Sequence, residues 1–294
     1  MSEREPLVSI VTPCYNTARF LEETICSVLS QDYPYIEYLV MDGGSTDGTR
    51  EILERYRGRL RYISAPDHGQ ADAINRGFHL SRGSIFAFLN ADDTYLPGAV
   101  ATAVQNMVNR PDAGVVYGEA YHVGEFGQVI ARYPVRPFDP AGLRLRCYIC
   151  QPASFMRRWA FESAGMLDPQ LHFALDYDLW IRIARQHTML KIDQYLATSR
   201  IHPHNKTLRS LRSVFREVCA VLQKHYGYVP CNWLYGYGDY LLTGRNPMFE
   251  PPKPTLANLG LCFLLGSYYN PRHLLRYWKD MAATARSLRN RALL

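Results

Sequence analysis

The sequence has no apolar stretch long enough to cross a bilayer. The most apolar part of its tail, Leu256 to Tyr269, runs about 14 residues, short of the roughly 20 that a spanning helix needs. Met1 to Pro6 is polar and acidic and lacks the apolar core of a secretory leader. The seven cysteines are odd in number and irregularly spaced, which argues against a small disulfide-stapled scaffold. Cys147 and Cys150 form a CxxC with no second pair, so a structural zinc site is not expected. Internal repeats and low-complexity segments are absent. What is left is the profile of a cytoplasmic globular protein. Its 294 residues, 47% hydrophobic and 20% charged, suffice for a sizeable core in one large domain or up to two ordinary ones.

The net charge of +6 is unevenly spread. After Thr207 there are 12 Lys+Arg against 4 Asp+Glu, a net +8, and the preceding part has 21 against 23, a net −2. A basic tail on a slightly acidic body implies an anionic partner for the tail. No nucleic-acid motif accompanies it, so nucleic acid is not the expected partner.

Strand and helix signals alternate along the first two thirds. Leu7 to Val11 reads as a strand stopped by Thr12-Pro13, with Asn16 or Thr17 able to cap the next helix. That helix has Leu21, Ile25, Val28 and Leu29 on one face. Leu39 to Met41 is a second strand, followed by a helix carrying Ile52, Leu53 and Tyr56. Leu60 to Ser64 is a third strand, and a helix is predicted over about 70–80. Another helix runs from Pro97 to about Asn109. Gly114 to Tyr117 is strand-like, 119–133 reads as a hairpin, and two helices are expected near 157–164 and 177–186. The alternation predicts βαβ units, a mostly parallel sheet and right-handed crossovers.

The stretch Ser84 to Asp93 carries the first chemical signal. Ile85 to Leu89 is a continuous apolar run, as in a strand buried on both faces. It switches abruptly to Asn90-Ala91-Asp92-Asp93, which sets the carboxylates at the carboxyl edge of the sheet, where open α/β sheets bind ligands. Two adjacent carboxylates repel and need a cation or hydrogen-bond donors, and a hard divalent ion bridging to phosphates is one solution. A solvated turn is the other reading. Asp42, followed by Gly43-Gly44-Ser45-Thr46-Asp47-Gly48-Thr49, ends the second strand in the same way. It can accept hydrogen bonds from a base N–H or a ribose hydroxyl, and Asp47 reads as the cap of the next helix.

Several segments, taken in order, resemble the family 2 glycosyltransferases. They are Ser9 to Asn16, Val40 to Thr49, Asp67-His68-Gly69-Gln70-Ala71-Asp72-Ala73-Ile74-Asn75-Arg76-Gly77, Leu89 to Asp93, Gly165 to Asp168, and Leu175-Asp176-Tyr177-Asp178-Leu179-Trp180-Ile181-Arg182. The resemblance covers roughly residues 7 to 206. It implies an α/β GT-A-like (Rossmann-like) fold, a mostly parallel mixed sheet flanked by helices, with a helical C-terminal extension. The corresponding division is a nucleotide-sugar-binding catalytic domain over 1–206 and a basic extension over 207–294.

The implied activity is inverting transfer of a sugar from a nucleotide-sugar donor, a UDP-hexose, to a hydroxyl of a glycan or lipid-linked acceptor in polysaccharide synthesis. The resemblance puts donor binding on Pro13, Tyr15, Asn16, Asp42, Gly43, Ser45, Asp67, Gln70, Asn75, Asn90, Ala91 and Asp92. It puts a Mn²⁺ or Mg²⁺ cofactor on Asp92 with His202, the general base on Asp176, and Gln151 and Trp180 on the acceptor side. A metal would neutralise charge on the leaving diphosphate, and a base would strengthen a weak hydroxyl nucleophile. Asp178, two residues from Asp176, faces another way on a helix and reads as a solvated or Arg182-paired helix residue. A cap role is the structural alternative for Asp176, and an exposed loop histidine the alternative for His202.

The pattern departs from the family at Asn90 and Gly43, where Asp is usual, and at Leu175, where Glu often stands. Two rival functions stay open on the sequence: a nucleotidyltransferase, which lacks a basic phosphate loop over residues 9–18, and a non-catalytic sugar-nucleotide-binding or scaffold protein, motivated by Asn90. In the tail, Leu274, Leu275, Tyr277, Trp278 and Met281 alternate with Arg272, Arg276, Lys279, Arg286, Arg289 and Arg291. That pattern suits an interfacial helix on an anionic membrane, placing the protein peripherally on the inner face, or a helix packing on the core or a second copy of the chain.

Overall fold

A computed structural model describes residues 5–247, 252 and 255–291. The chain forms two compact units: residues up to Asp139 with Tyr148–His202, and Pro140–Cys147 with the residues from Pro203 onward.

The first unit opens with β1 (Val8–Cys14), α1 (Ala18–Leu29), β2 (Ile36–Asp42), α2 (Thr49–Arg55), β3 (Arg61–Ser64), α3 (Gln70–His79) and β4 (Ile85–Phe88). All seven residues of β1 and all four of β4 are buried, as expected of strands covered on both faces. Next come β5 (Thr94–Tyr95), α4 (Ala99–Asn109), β6 (Ala113–Val123) and β7 (Val129–Arg132). After the short α5 (Pro140–Leu143) of the second unit, β8 (Ser154–Arg157), α6 (Arg158–Ser163), α7 (Leu175–Ala184) and β9 (Thr188–Arg200) complete it.

One mixed sheet results, in the order β3-β2-β1-β4-β8-β6-β9-β5, with β7 paired to β6. Strands β3, β2, β1 and β4 are mutually parallel, and β8 runs antiparallel to both β4 and β6. The α/β sheet with flanking helices predicted above is therefore present. The chain leaves β1 first toward β2 and later toward β4, so the switch in strand order falls at β1, beside the carboxyl ends that bind ligands in such sheets. Helix α3 lies close on β1: a Cβ added to Gly77 would sit 2.6 Å from Val11 Cγ1. Phe78 stacks on Phe86 at 4.4 Å, with Phe161 edge-on to both.

Three strands lie outside the sequence reading. β5 has two residues, β8 (Ser154–Arg157) is mixed polar and apolar and runs straight into a helix, and β9 mixes buried and exposed positions without strict alternation, with β6 and β9 shifting register repeatedly along their pairing. The 119–133 hairpin exists, but its first arm is the end of the long β6. Helix α7 begins at Leu175, so Asp176 lies inside the first turn rather than ahead of it.

The second unit is helical: α5, then α8 (Lys206–Arg209), α9 (Leu211–Tyr226), α10 (Cys231–Thr243), α11 (Leu256–Tyr269) and α12 (Leu274–Arg291). Among the described residues, no helix is long and apolar enough to cross a membrane.

Candidate active site

The site is built at the carboxyl ends of β1, β2 and β4. Cys14 and Asp42, the last residues of β1 and β2, are register partners. Asp42 is almost fully buried. Its Oδ1 accepts from the Ser45 N–H (3.1 Å) and hydroxyl (2.5 Å), and its Oδ2 from the Ser64 hydroxyl (2.5 Å). The carboxylate thus fixes the Gly43–Ser45 loop. Burial, and then the Asp42 charge, push the Cys14 thiol up, so that sulfur is no nucleophile.

The loops after β1 and β2 are joined. The Asn16 N–H donates to Ser45 Oγ (2.7 Å) and the Thr46 N–H to Asn16 Oδ1 (2.9 Å). Asn16 adopts φ +52°, a left-handed conformation that Asn tolerates better than most residues. Asp47, expected to cap α2, accepts from the Thr49 N–H (3.1 Å) and hydroxyl (2.6 Å), with Gly48 at the cap position itself. Its other oxygen takes the Ala18 N–H of α1 (3.0 Å). Pro13 is buried in β1, whereas Tyr15 is 64% exposed on this rim and offers a ring for stacking.

The next loop contributes Asp67. One oxygen accepts from the Gly69 N–H (2.8 Å), and the other lies against Gly43. Gln70 donates to Asn90 Oδ1 (2.7 Å). Asn90 in turn donates to Asp93 Oδ2 (3.2 Å) and Gln151 Oε1 (3.3 Å), and Gln151 donates to the Phe88 carbonyl (2.6 Å). An Asp at position 90 would set a carboxylate against both acceptors, which accounts for the amide there. Asn75 binds the Leu167 backbone with both ends of its amide, at 2.8 and 3.1 Å, and so ties α3 to the 165–168 loop.

The two adjacent carboxylates part company. Asp93 is buried, accepts from the Arg200 N–H (2.9 Å), and has its carboxyl pushed up by burial and then by the Asp92 charge. Asp92 follows the buried Ala91 and keeps its side chain 24% exposed, with His202 Nε2 at 3.0 Å from Oδ2. His202 is buried rather than loose in a loop, its ring 4.5 Å from that of Phe20.

Sequence reasoning passed over Arg200. Its buried guanidinium donates to the Asp92 carbonyl (2.8 Å) and the Glu125 carbonyl (3.1 Å) and pairs with Glu23 (2.6 Å). It thereby anchors the acidic loop and the end of β9 just before His202. A lone arginine at the end of a strand that had not been read carried no pattern to reveal this.

Asp176 is half-buried in the first turn of α7, and its Oδ1 accepts from the Tyr177 N–H (2.8 Å). Ala174, not Asp176, occupies the cap position. His172, in the loop leading into α7, comes within 3.9 Å of the space beside Gly69, which brings that loop to the mouth of the Asp67 turn. Asp178 is fully buried and paired with Arg182 at 2.7 Å. Trp180 is fully buried as well and belongs to the core.

The family described as Glycosyl transferase family 2 matches residues 9–164. An uncharacterized glycosyltransferase of Rickettsia typhi is 29% identical over 222 residues, 71% of this chain and 68% of that protein. Among solved structures, S. aureus TarS in complex with UDP-GlcNAc superposes with a TM-score of 0.60 at 14% identity, covering 90% of this chain and 80% of the other. A mannosyltransferase from Pyrobaculum calidifontis in complex with GDP-Man and Mn²⁺ gives 0.57 at 18% identity, covering 99% and 80%.

Proposed function

The chain belongs to glycosyltransferase family 2, and from that premise we propose that it moves a hexose, with inversion, from a UDP-sugar to a hydroxyl of a glycan or lipid-linked acceptor. The observation that carries this reading is the division of labour at the end of β4. Asp93 is buried and Asn90 is occupied, while Asp92 stays partly exposed with an imidazole 3.0 Å away.

A divalent ion fits that pair. A carboxylate oxygen and an imidazole nitrogen converging on one spot suit Mn²⁺, and Mg²⁺ would lean more on oxygen ligands. Among the described residues no group of three His, Cys, Asp or Glu surrounds one point, so diphosphate oxygens and water would complete the shell. The ion would neutralise negative charge on the departing nucleoside diphosphate.

The chain's own residues do the rest. Tyr15 offers a stacking surface for the base. Asp42, at the end of β2, and Asp67 receive base N–H and ribose hydroxyl groups. The Gly43–Ser45 loop, held by Asp42, lets the donor approach the backbone closely. Asp176 accepts the acceptor hydroxyl's proton as the bond to the sugar forms and the bond to the diphosphate breaks. Gln151 stands behind Asn90 as a positioning residue.

Donor turnover tests this. The full chain is incubated with UDP-, GDP- and dTDP-sugars, with Mn²⁺, Mg²⁺ or chelator, and nucleoside diphosphate release is followed. Metal-dependent release from a UDP-hexose, lost in Asp92→Ala, is the expected result. A chain that neither releases nucleoside diphosphate from any donor nor binds one would sink the reading.

A further inference from the structure

The outer face of the α11–α12 hairpin is apolar, aromatic and rimmed by cations. Helix α11 contains no charged residue, yet Leu256 is 88%, Leu264 64% and Tyr268 75% exposed. Their spacing puts them on one side of the helix, together with Phe263. Trp278 of α12 stacks on Phe263 (5.8 Å, 18° between planes), and Leu275, one turn before it, is 74% exposed. The apolar residues of α12 thus divide in a way that its sequence pattern did not show. Tyr277 is fully buried, its hydroxyl donating to the Cys262 carbonyl (2.8 Å), while Leu275 and Trp278 face out.

The charge around this face has one sign. Arg272, Arg276 and Lys279 are exposed. The only acid of the hairpin, Asp280, is turned inward to the Tyr228 hydroxyl (2.9 Å) and the Cys231 N–H (3.1 Å). The Arg276 guanidinium lies over the Tyr228 ring at 4.3 Å. No carboxylate within hydrogen-bonding reach neutralises these three cations among the described residues.

We propose that this face is a membrane-interface surface that seats on an anionic bilayer. The 14 residues of α11 reach about 21 Å at 1.5 Å per residue, too short for a hydrocarbon core of ~30 Å, so the helix lies in the interface plane. Exposed Leu and Phe enter the acyl boundary, Trp and Tyr sit at the headgroup level, and the cations meet lipid phosphates. A second copy of the chain is a poorer occupant, because a two-fold pairing through this face would bring the same cationic rims together.

The test is co-flotation of the full chain with vesicles of phosphatidylcholine alone or mixed with phosphatidylglycerol. Binding only to the mixed vesicles, weakened by salt, is expected. Replacing two of the three cations (Arg272→Glu with Lys279→Glu) should lower vesicle affinity at least ~30-fold, given about a fivefold loss per basic residue. Leu264→Glu should abolish binding with an unchanged circular dichroism spectrum. Val129→Glu, on an exposed strand of the other unit, should have no effect. Binding that survives Leu264→Glu, binding equal on both vesicle types, or no binding by the wild type would overturn the proposal. So would a concentration-dependent mass in solution that Leu264→Glu abolishes, since a second copy would then occupy the face. Should Leu264→Glu misfold, the cation variant takes its place: vesicle binding that it leaves unchanged would overturn the proposal.

Discussion

The Asp67 carboxylate fills the space that a side chain at residue 43 would take: a Cβ on Gly43 would lie 2.9 Å from Asp67 Oδ2 and 3.3 Å from its Cγ. The family often places a second Asp after the strand-end carboxylate, and here the neighbouring loop brings a carboxylate to the same place. Gly43→Ala should therefore displace Asp67 with little loss of stability, since the end of a flexible side chain moves at small cost. The expected outcome is a several-fold rise in donor KM, matched by Asp67→Asn, with an unchanged melting curve. An unaltered KM in both variants would remove Asp67 from donor binding.

The amide at Asn90 is the centre of a hydrogen-bond network. Its Nδ2 donates to Asp93 and Gln151, so Asn90→Asp should cost about 1–3 kcal/mol at neutral pH through a lost donor and carboxylate repulsion. The deficit should shrink as the medium is acidified and the added carboxyl protonates. Urea denaturation in chelator at two pH values checks this, and equal stability at neutral pH would contradict the network.

The two carboxylates at the start of α7 should separate activity from stability. Asp176→Asn is expected to lower kcat by ~10²–10⁴ with little change in melting. Asp178→Ala leaves the largely buried Arg182 without its partner and should cost about 3–5 kcal/mol. Steady-state kinetics and denaturation on the same pair of proteins measure both effects.

Gly77 is a packing residue within a motif that otherwise reads as functional. A Cβ there would meet Val11 Cγ1 at 2.6 Å and Met41 Cγ at 3.1 Å, and the backbone of β1 cannot retreat from the centre of the sheet. Gly77→Ala should destabilise by about 1–3 kcal/mol through overpacking. A chemical denaturation midpoint equal to that of the wild type would refute this contact.

Glu37 gives the fold an acid-sensitive joint. Burial pushes its carboxyl up, but the Arg82 N–H (2.7 Å), the Ser9 hydroxyl (2.6 Å) and the Arg82 guanidinium outweigh burial and hold it below its ordinary value of 4.5. A lowered folded-state value means that its contribution is complete above about pH 4.5, the unfolded value, and fades as pH falls through the folded one. The stability gap between wild type and Glu37→Gln should be widest at neutral pH and close in acid. A gap independent of pH would exclude the carboxylate as its source.

Much of the parallel half of the sheet was legible because β1, β2 and β4 are short apolar runs ended by Pro, Gly or Asp, and the helices between them keep one apolar face. The other half, where parallel and antiparallel pairs mix, was less so. β8 has four residues and β5 two, and β9 is held by β6 through an irregular ladder that leaves no period in its sequence. At the site, the ion pair of Asp178 with Arg182 is one that their spacing allowed, but its full burial was not legible. The closing of Asp42 onto Ser45 and Ser64, and the burial of Trp180, did not follow from residue type.

The sequence by itself determined the family, the alternation of strands and helices, and the arrival of Asp42 and Asp92 at strand ends. Those are local consequences of apolar runs, turn residues and periodicity. Only the tertiary structure decided which of two adjacent carboxylates is buried and which stays partly exposed beside His202, because that depends on where Arg200 and His202, more than a hundred residues away in the chain, are brought by the strand they follow. It also decided which face of the basic tail is free, since α11 and α12 bury Cys262 and Tyr277 against each other and leave Leu264, Leu275 and Trp278 outside.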